Sequence, residues 1–441
     1  MTSRRSFIAN AAAVGVSASV SLNSTQVKTD AASAKPNLRA PNAVRPSGMH
    51  IRAAIRRDET ILRLGGHGDI YNMTWAADDR QYVAVCDGAG WFAKPKRFYN
   101  SRLFSISGSP SDARFQDVSG YPELAPDLYG PNPRYYNFGT VALDGFIYQY
   151  LSTFNRPFSA TAAKPPLRFN GAKLIYSPDN GRTWRNQDGT TPVSWEPWGR
   201  RSRQTMVFFE ESQEAFSILS ILQMGRNYSG NTDGYVYVYA PNGNTEGTMN
   251  QLVMFRVAKA HILNRAAYEY FAGVRPDGSA TWIKDISARG IVHTFPRGWV
   301  NTKTHPWAWH PSVTYNIPLG IYMMATWGMG SSADGTWFGK PSYLGFWSAP
   351  NPWGPWTQIH EETAWTTASD LATRPYAPQI SPKWIAEDGK SFWLVWTDFK
   401  LVGESNTYPD QQRDEMSFIS RTRRLLPYYA FNTQRVDLVV T

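Results

Sequence analysis

Five stretches of this chain repeat one plan: a polar or aromatic entry, an apolar run of strand length, a turn, and a second aromatic-rich run. They are YNMTW to YVAVCDG (71–88), YYNFGTVALDGFIYQYLS (135–152), FSILSILQMG to GYVYVYAP (216–241), HPSVTYNIPLGIYMMATWG (310–328) and YAPQISPKWIAEDGKSFWLVWTD (376–398). Each reads as a hairpin, with runs rich in Val, Ile, Tyr, Phe and Trp bounded by Gly, Pro, Asn and Asp. Asp144-Gly145 and Asp388-Gly389 supply two of the turns. One hairpin cannot bury its apolar face alone; a series of them does so by packing on one another. The repetition predicts an all-β chain, a five-bladed β-propeller with long inter-blade insertions. The insertions follow because the units are spaced wider than the roughly 40–45 residues of a standard propeller repeat. Each hairpin supplies inner strands of a blade. The segments KLIYSPDNGRTW, QLVMFRVA and LGFWSAPNPWGPWTQI supply outer ones. A β-sandwich is the rival fold, and the chain is long for one. Helical periodicity is scarce, and one short helix is expected between Lys259 and Ala267.

The N-terminus reads differently. Arg4-Arg5 precedes Phe7-Ile8 and a mildly apolar run, ANAAAVGVSASVS. A twin arginine before a small-residue stretch is the pattern of a twin-arginine export signal, assigned to residues 1–23. The run is too short and too rich in Ala, Ser and Gly to span a membrane. Residues 24–48 are polar and aperiodic and read as a disordered spacer; residues 49–441 form a single propeller domain. The expected location is periplasmic or secreted. Cys86 is the only cysteine, so no intrachain disulfide can form. It lies in an apolar strand and reads as a buried small hydrophobe.

Aromatic residues make up 14% of the chain, with 18 Trp and 23 Tyr, and exposed rings are suited to the faces of sugars. The net charge is +10, yet the basic clusters are short, KPKR at 94–97 and GRRSR at 199–203. Nucleic acid is therefore excluded as a partner. The positive balance suits a polysaccharide or oligosaccharide, including an anionic one.

The candidate chemistry sits in HGDIYNMTWAADDRQYVAVCDGAGW (67–91). Asp69 enters the first strand of a hairpin, and Asp87 leaves the second. The two ends are neighbours in an antiparallel pair, so both carboxylates are expected at one rim, with Trp75 and Trp91 nearby. That pair is the minimum for acid/base work on a sugar. The competing reading makes Asp87-Gly88 a turn and Asp69 a strand cap. Residues that begin inner strands line a propeller's cleft. This nominates His67, Tyr71 and Asn72 from the first unit, and Arg134, Tyr135, Tyr136 and Asn137 from the second. Arg226 and Asn227 come from the third, His310, Tyr315 and Asn316 from the fourth, and Arg374 and Tyr376 from the fifth. A ring of Arg, His, Tyr and Asn fits hydroxyls and a carboxylate or sulfate. The seven His show no metal-ligand spacing, so no metal or cofactor is expected; a structural or channel cation is left open.

Two further motifs speak to the fold. Ser177-Pro-Asp179-Asn-Gly181-Arg-Thr183-Trp184 fits the Asp-box pattern of sialidase-like propellers. There the Asp accepts turn N–H groups, Gly takes a positive φ, and Trp packs into the blade. Asp179 is thus structural. Ala349 to Trp356 occupies the equivalent outer turn of another blade, and its Trp-Gly-Pro-Trp resembles family 43 glycosidase propellers.

Met224-Gly225-Arg226-Asn227-Tyr228, the run Asp233 to Tyr239, Thr74-Trp75-Ala-Ala-Asp78-Asp79 and Asp87-Gly88-x-Gly90 together carry a resemblance. It is to a bacterial domain family (a DUF) of five-bladed propellers related to glycoside hydrolase family 43, and it spans roughly residues 60–400. Some members form glycoside hydrolase family 183, endo-acting on D-arabinan and inverting. The resemblance implies that Asp69 and Asp87 are the two essential carboxylates. An inverting pair stands roughly 6.5–9.5 Å apart, one acid and one base. Three functions stay open. The first is an exported glycoside hydrolase using Asp69 and Asp87. The second is a polysaccharide lyase on an anionic glycan, with His67 or His310 as base, Tyr as acid and Arg neutralising the uronate. The third is a glycan-binding propeller without chemistry.

Overall fold

The computed structural model describes residues 49–94, 97–124, 133–156, 168–243, 249–296, 307–330, 339–400 and 429–441. The export signal and spacer assigned to residues 1–48 lie outside the described residues. Five antiparallel sheets follow one another along the chain. The first blade is built from His67–Asp69 and Met73–Trp75, then Gln81–Gly90, Arg102–Ser107 and Arg114–Asp117. The second runs Tyr135–Leu143, Phe146–Phe154, Phe169–Ser177 and Arg185–Asn186. The third runs from the very short Ser220–Ile221 through Tyr235–Pro241 and Gln251–Ala258 to Glu269–Val274 and Ala280–Ile283. The fourth is Trp307–Asn316, Ile321–Gly330, Lys340–Ala349 and Thr357–Trp365.

The fifth blade closes the ring. Thr373–Ile385 and Ser391–Lys400 pair with the C-terminal strand Asn432–Val440, whose far edge takes the N-terminal strand Ile51–Arg56. The two chain ends are zipped by Ile51 opposite Val440 and Arg56 opposite Val436. Backbone hydrogen bonds between Ile51–Arg56 and Asn432–Val440 thus complete the fifth blade and cover the far edge of its C-terminal strand. The innermost strands touch in cyclic order from first blade to fifth and back to the first. The chain is a five-bladed β-propeller.

The aromatic content goes mainly into the seams between blades. Trp327, Trp365, Trp396, Tyr71, Tyr135 and Tyr150 are fully buried. Such side chains each bury 150–250 Å² of surface, roughly, which makes them efficient fillers between sheets that diverge from an axis. The Asp-box behaves as its pattern predicts. Asp179 accepts Thr183 N–H at 2.8 Å and the Thr183 hydroxyl at 2.7 Å. Gly181 has φ 87°, and the Trp184 indole N–H donates to the Gly181 carbonyl oxygen at 3.1 Å. The short helix expected between Lys259 and Ala267 is instead two separate turns of 3-10 helix, Lys259–His261 and Arg265–Ala267. The Asn264 side chain caps the second by accepting Ala266 N–H, which stops the first from continuing.

One distortion recurs around the axis. Inner strands slip register at His67/Asp69, Tyr136/Gly139, Trp307/Ser312 and Tyr376/Gln379. Ile70, Asp87, His310 and Ala377 take φ between 43° and 58° at or near these places. Bulges re-aim side chains, and here they do so on four blades at the same end of the ring. The cluster Ile70, Tyr136, Phe138, Trp309, Trp327 and Tyr376 packs there as an aromatic floor.

Candidate active site

Asp69 and Asp87 come together, though not as the free ends of a simple hairpin. Asp69 ends the strand His67–Asp69 and lies opposite Cys86, while His67 lies opposite Gly90. Two steps on one strand therefore match four on the other, and the surplus forms a bulge at Asp87–Ala89. Asp87-Gly88 is this bulge and not a turn. Gly88 is required, since a Cβ there would stand 1.9 Å from the His67 carbonyl oxygen. Asp87 itself sits at φ 43°, a region an aspartate enters only when surrounding structure holds it.

Both carboxyls titrate above the ordinary aspartate range, and burial is the largest cause for each. For Asp69 the Asp87 charge adds to the shift, against the hydroxyls of Tyr376 and Tyr429. Tyr376 donates to Asp69 Oδ2 at 2.7 Å. Asp69 Oδ1 is buried with no hydrogen-bond partner. Asp87 has the more anion-friendly surroundings: the Arg134 guanidinium opposes its shift, as does the Asn100 amide, which donates to Oδ1 at 2.5 Å. Tyr429 donates to the Asp87 carbonyl oxygen at 2.7 Å and meets the His67 ring edge-on at 5.0 Å. His67 Nδ1 accepts Ala89 N–H at 3.3 Å, which ties the ring to the bulge. Cys86 donates to Asn137 Oδ1 at 3.1 Å, and burial pushes its thiol up.

The other nominated residues divide by position. Arg134 and Tyr136 share this end, the guanidinium donating to the phenol oxygen at 3.2 Å. Arg374 is there too, donating to the carbonyl oxygens of Leu371 and Thr373. His310 is fully buried, edge-on to Phe138 at 4.8 Å, and burial lowers its pKa to about 3. Its ring nitrogens have no hydrogen-bond partner, but no three His, Cys, Asp or Glu side chains converge among the described residues. A lone imidazole does not make a cation site.

Tyr71 apart, whose phenol feels the Asp69 charge, the structure does not bring the remaining nominees to the aspartates. Tyr71 is core, packed on Phe431 at 5.1 Å and donating to the Gly68 carbonyl oxygen. Asn72 bonds the second blade's backbone, donating to the Phe138 carbonyl oxygen and accepting Thr140 N–H. Trp91 stacks on Phe115 at 4.0 Å and donates to the Leu64 carbonyl oxygen. Tyr135 points outward to Glu196 Oε2 at 2.9 Å. Trp75 lies at the far, turn end of the hairpin, opposite Gln81. Arg226 reaches that same turn at the Ala77 carbonyl oxygen, and Asn227 accepts Gly145 N–H from the second blade's turn. Tyr315 stacks with Tyr322 at 4.7 Å, and Asn316 donates to the Gly389 carbonyl oxygen. These serve the opposite end of the ring.

Asn100 and Tyr429 were not foreseen. Asn100 belongs to the loop entering the third strand of the first blade, and Tyr429 immediately precedes the closing C-terminal strand. No local motif marks either one. A cavity of about 710 Å³ between Glu210, Glu211, Gln213, Glu214, Arg168 and Asn242 holds none of the residues above. Among the described residues no helix is long and apolar enough to cross a membrane.

Neither a protein-family model nor a curated protein matches the chain. Solved structures similar to it include an α-L-arabinofuranosidase from Lactobacillus brevis, at TM-score 0.44 and 11% identity over 87% of this chain and 94% of that one. The catalytic domain of a Coprinopsis cinerea GH62 α-L-arabinofuranosidase aligns at 0.42 and 10%, over 88% and 98%. An endo-arabinase from Bacteroides thetaiotaomicron aligns at 0.37 and 14%, over 80% and 93%.

Proposed function

We propose that this chain is an exported glycoside hydrolase that cleaves a polysaccharide by inversion, with Asp69 as general acid and Asp87 as general base. One observation carries the reading: a buried carboxyl and a half-buried one feel each other with unequal support. Asp87 has a guanidinium and an amide N–H to favour its anion. Asp69 has only hydroxyl donors and a neighbouring negative charge. Environments that push two like groups apart are how one site holds an acid and a base together. The protonated member gives its proton to the leaving oxygen, and the ionised one takes a proton from water on the opposite face of the sugar.

The lyase reading asks for an arginine turned to a uronate and a histidine able to take a proton. Arg374 is engaged with its own loop, and His310 is buried. The test is mass spectrometry of products from a panel of neutral and anionic polysaccharides. D-arabinan leads the panel because of the sequence resemblance. Products carrying an added water, and their loss in Asp69→Asn and Asp87→Asn, are the expected result. Unsaturated products would replace hydrolysis by elimination, and binding without turnover would leave a lectin.

A further inference from the structure

The fifth blade sends one side chain across the ring closure into the first. Tyr376 is 307 positions from Asp69 in sequence, and its hydroxyl meets Asp69 Oδ2 at 2.7 Å. Its ring is held by Trp327 at 5.6 Å, and the strand bulges immediately after it, with Ala377 at φ 50°. The bulge and the packing fix where the phenol points. A carboxylic acid has two oxygens and one proton. A hydroxyl that donates to one of those oxygens favours the anion over the acid.

We propose that Tyr376 is a positioning residue that fixes the Asp69 carboxyl and stabilises the anion it becomes on giving its proton to the leaving glycosidic oxygen. This rests on the reading of Asp69 as the acid. The step balances simply: the carboxyl O–H bond of Asp69 breaks as an O–H bond forms on the departing sugar, and Asp69 is left as the anion that the Tyr376 hydroxyl is already placed to stabilise. The groups that face Asp69 are Asp87 and Cys86 on the adjoining strand, Tyr71 two residues on, Tyr376 from the fifth blade and Tyr429 from the closing segment. His67 stands beside Tyr429, and Arg134 acts on Asp87.

The test uses Tyr376→Phe in the full chain, with Tyr239→Phe as control; Tyr239 is a buried tyrosine of the third blade that donates to the Pro352 carbonyl oxygen. The Asp69 carboxylic-acid C=O band is followed by infrared titration, identified by its loss in Asp69→Asn. Loss of a donor that favours the anion moves this titration to higher pH in Tyr376→Phe and leaves it unmoved in Tyr239→Phe. On the substrate found by the polysaccharide panel, kcat falls about tenfold with KM little changed, and the alkaline limb of the rate profile moves the same way. A fluorotyrosine at position 376 keeps the ring and makes a stronger donor; it moves the titration to lower pH, and serves where the Phe variant fails to fold. An unmoved titration in these variants overturns the proposal while Asp69→Asn still abolishes turnover. Full activity in Asp69→Asn overturns the acid assignment and the proposal with it.

Discussion

The first blade carries an aspartate pair at each end, and the two pairs have opposite character. At the turn end, Asp79 Oδ2 accepts from Lys383 Nζ at 2.9 Å and Oδ1 from the Trp75 indole N–H at 3.0 Å. These bonds, the one to Lys383 foremost, hold its carboxyl below the usual range. At the cleft end, burial raises both Asp69 and Asp87, and each lacks a direct ion-pair partner as close as Lys383 is to Asp79. Each pair has a tryptophan within a few residues: Trp75 lies near its partners in space, while Trp91 is turned into the core. Two carboxylates beside a tryptophan are therefore not a catalytic motif in themselves. Desolvation and mutual charge raise the titration of one pair, and exposure with a lysine lowers that of Asp79 in the other.

The largest expected effect tests that contrast directly. Asp69→Asn and Asp87→Asn should each lower kcat about 10³-fold, the usual scale for removing a general acid or base. Asp79→Asn should stay within about twofold, a surface-like change. Initial rates on one substrate decide it, and equal losses at both ends would remove the distinction.

The tryptophans sharpen the comparison through stability. Trp91→Ala removes a ring stacked on Phe115 and packed against Phe104 and Phe431, and should cost about 3 kcal/mol in urea unfolding. Trp75→Ala should cost about 1 kcal/mol or less, because that ring sits at a partly exposed turn. On the outer edge of the second blade, Asp179→Ala should lose about 1–2 kcal/mol through the two Thr183 hydrogen bonds, with kcat unchanged. A fall in kcat would give the Asp-box a part in the chemistry.

The smallest effects are on stability against pH, and their signs differ between the pairs. Asp69 has a folded-state pKa above its unfolded value. Its contribution is complete below the unfolded value and is lost as pH rises through the folded one. Asp69→Asn should therefore melt about 2 °C above the parent chain on the alkaline side and match it in acid. Asp79 has the reverse shift, so its contribution is present above the unfolded value and is lost as pH falls through the folded one. Asp79→Asn should be marginally less stable at neutral pH and equal in acid. Differential scanning calorimetry across pH reads both, and a like sign would overturn the contrast.

Much of the fold was legible along the chain because strand periodicity and turn residues are local. The hairpins at 135–152 and 376–398 fall on observed strand pairs, and the Asp-box hydrogen bonds follow from residues at most four positions apart. Of the candidate site, the juxtaposition of Asp69 and Asp87 was legible, because they share one hairpin. Trp91 shows where the local reading stops. Its nearness to Asp87 in sequence suggested the cleft, but the bulge at Asp87–Ala89 turns the following residue into the core. Asn72 failed for a related reason: a residue near the start of an inner strand can face the axis or the neighbouring blade, and only packing chooses; Tyr315 and Asn316 failed because they end the strand Trp307–Asn316 at its turn instead of beginning it.

What this sequence determined by itself is the repeat: five units whose apolar faces need one another, which leaves a ring as the solution that buries those faces and keeps only short, protected edges. What the tertiary structure decided is the chemistry at one end of that ring. Which aspartates lose water, which tyrosine reaches Asp69 from 307 positions away, and which arginine stands by Asp87 depend on contacts between blades. Electrostatic character depends on what fills the space around a charge, and in a propeller that space is furnished by parts of the chain that have no proximity in sequence.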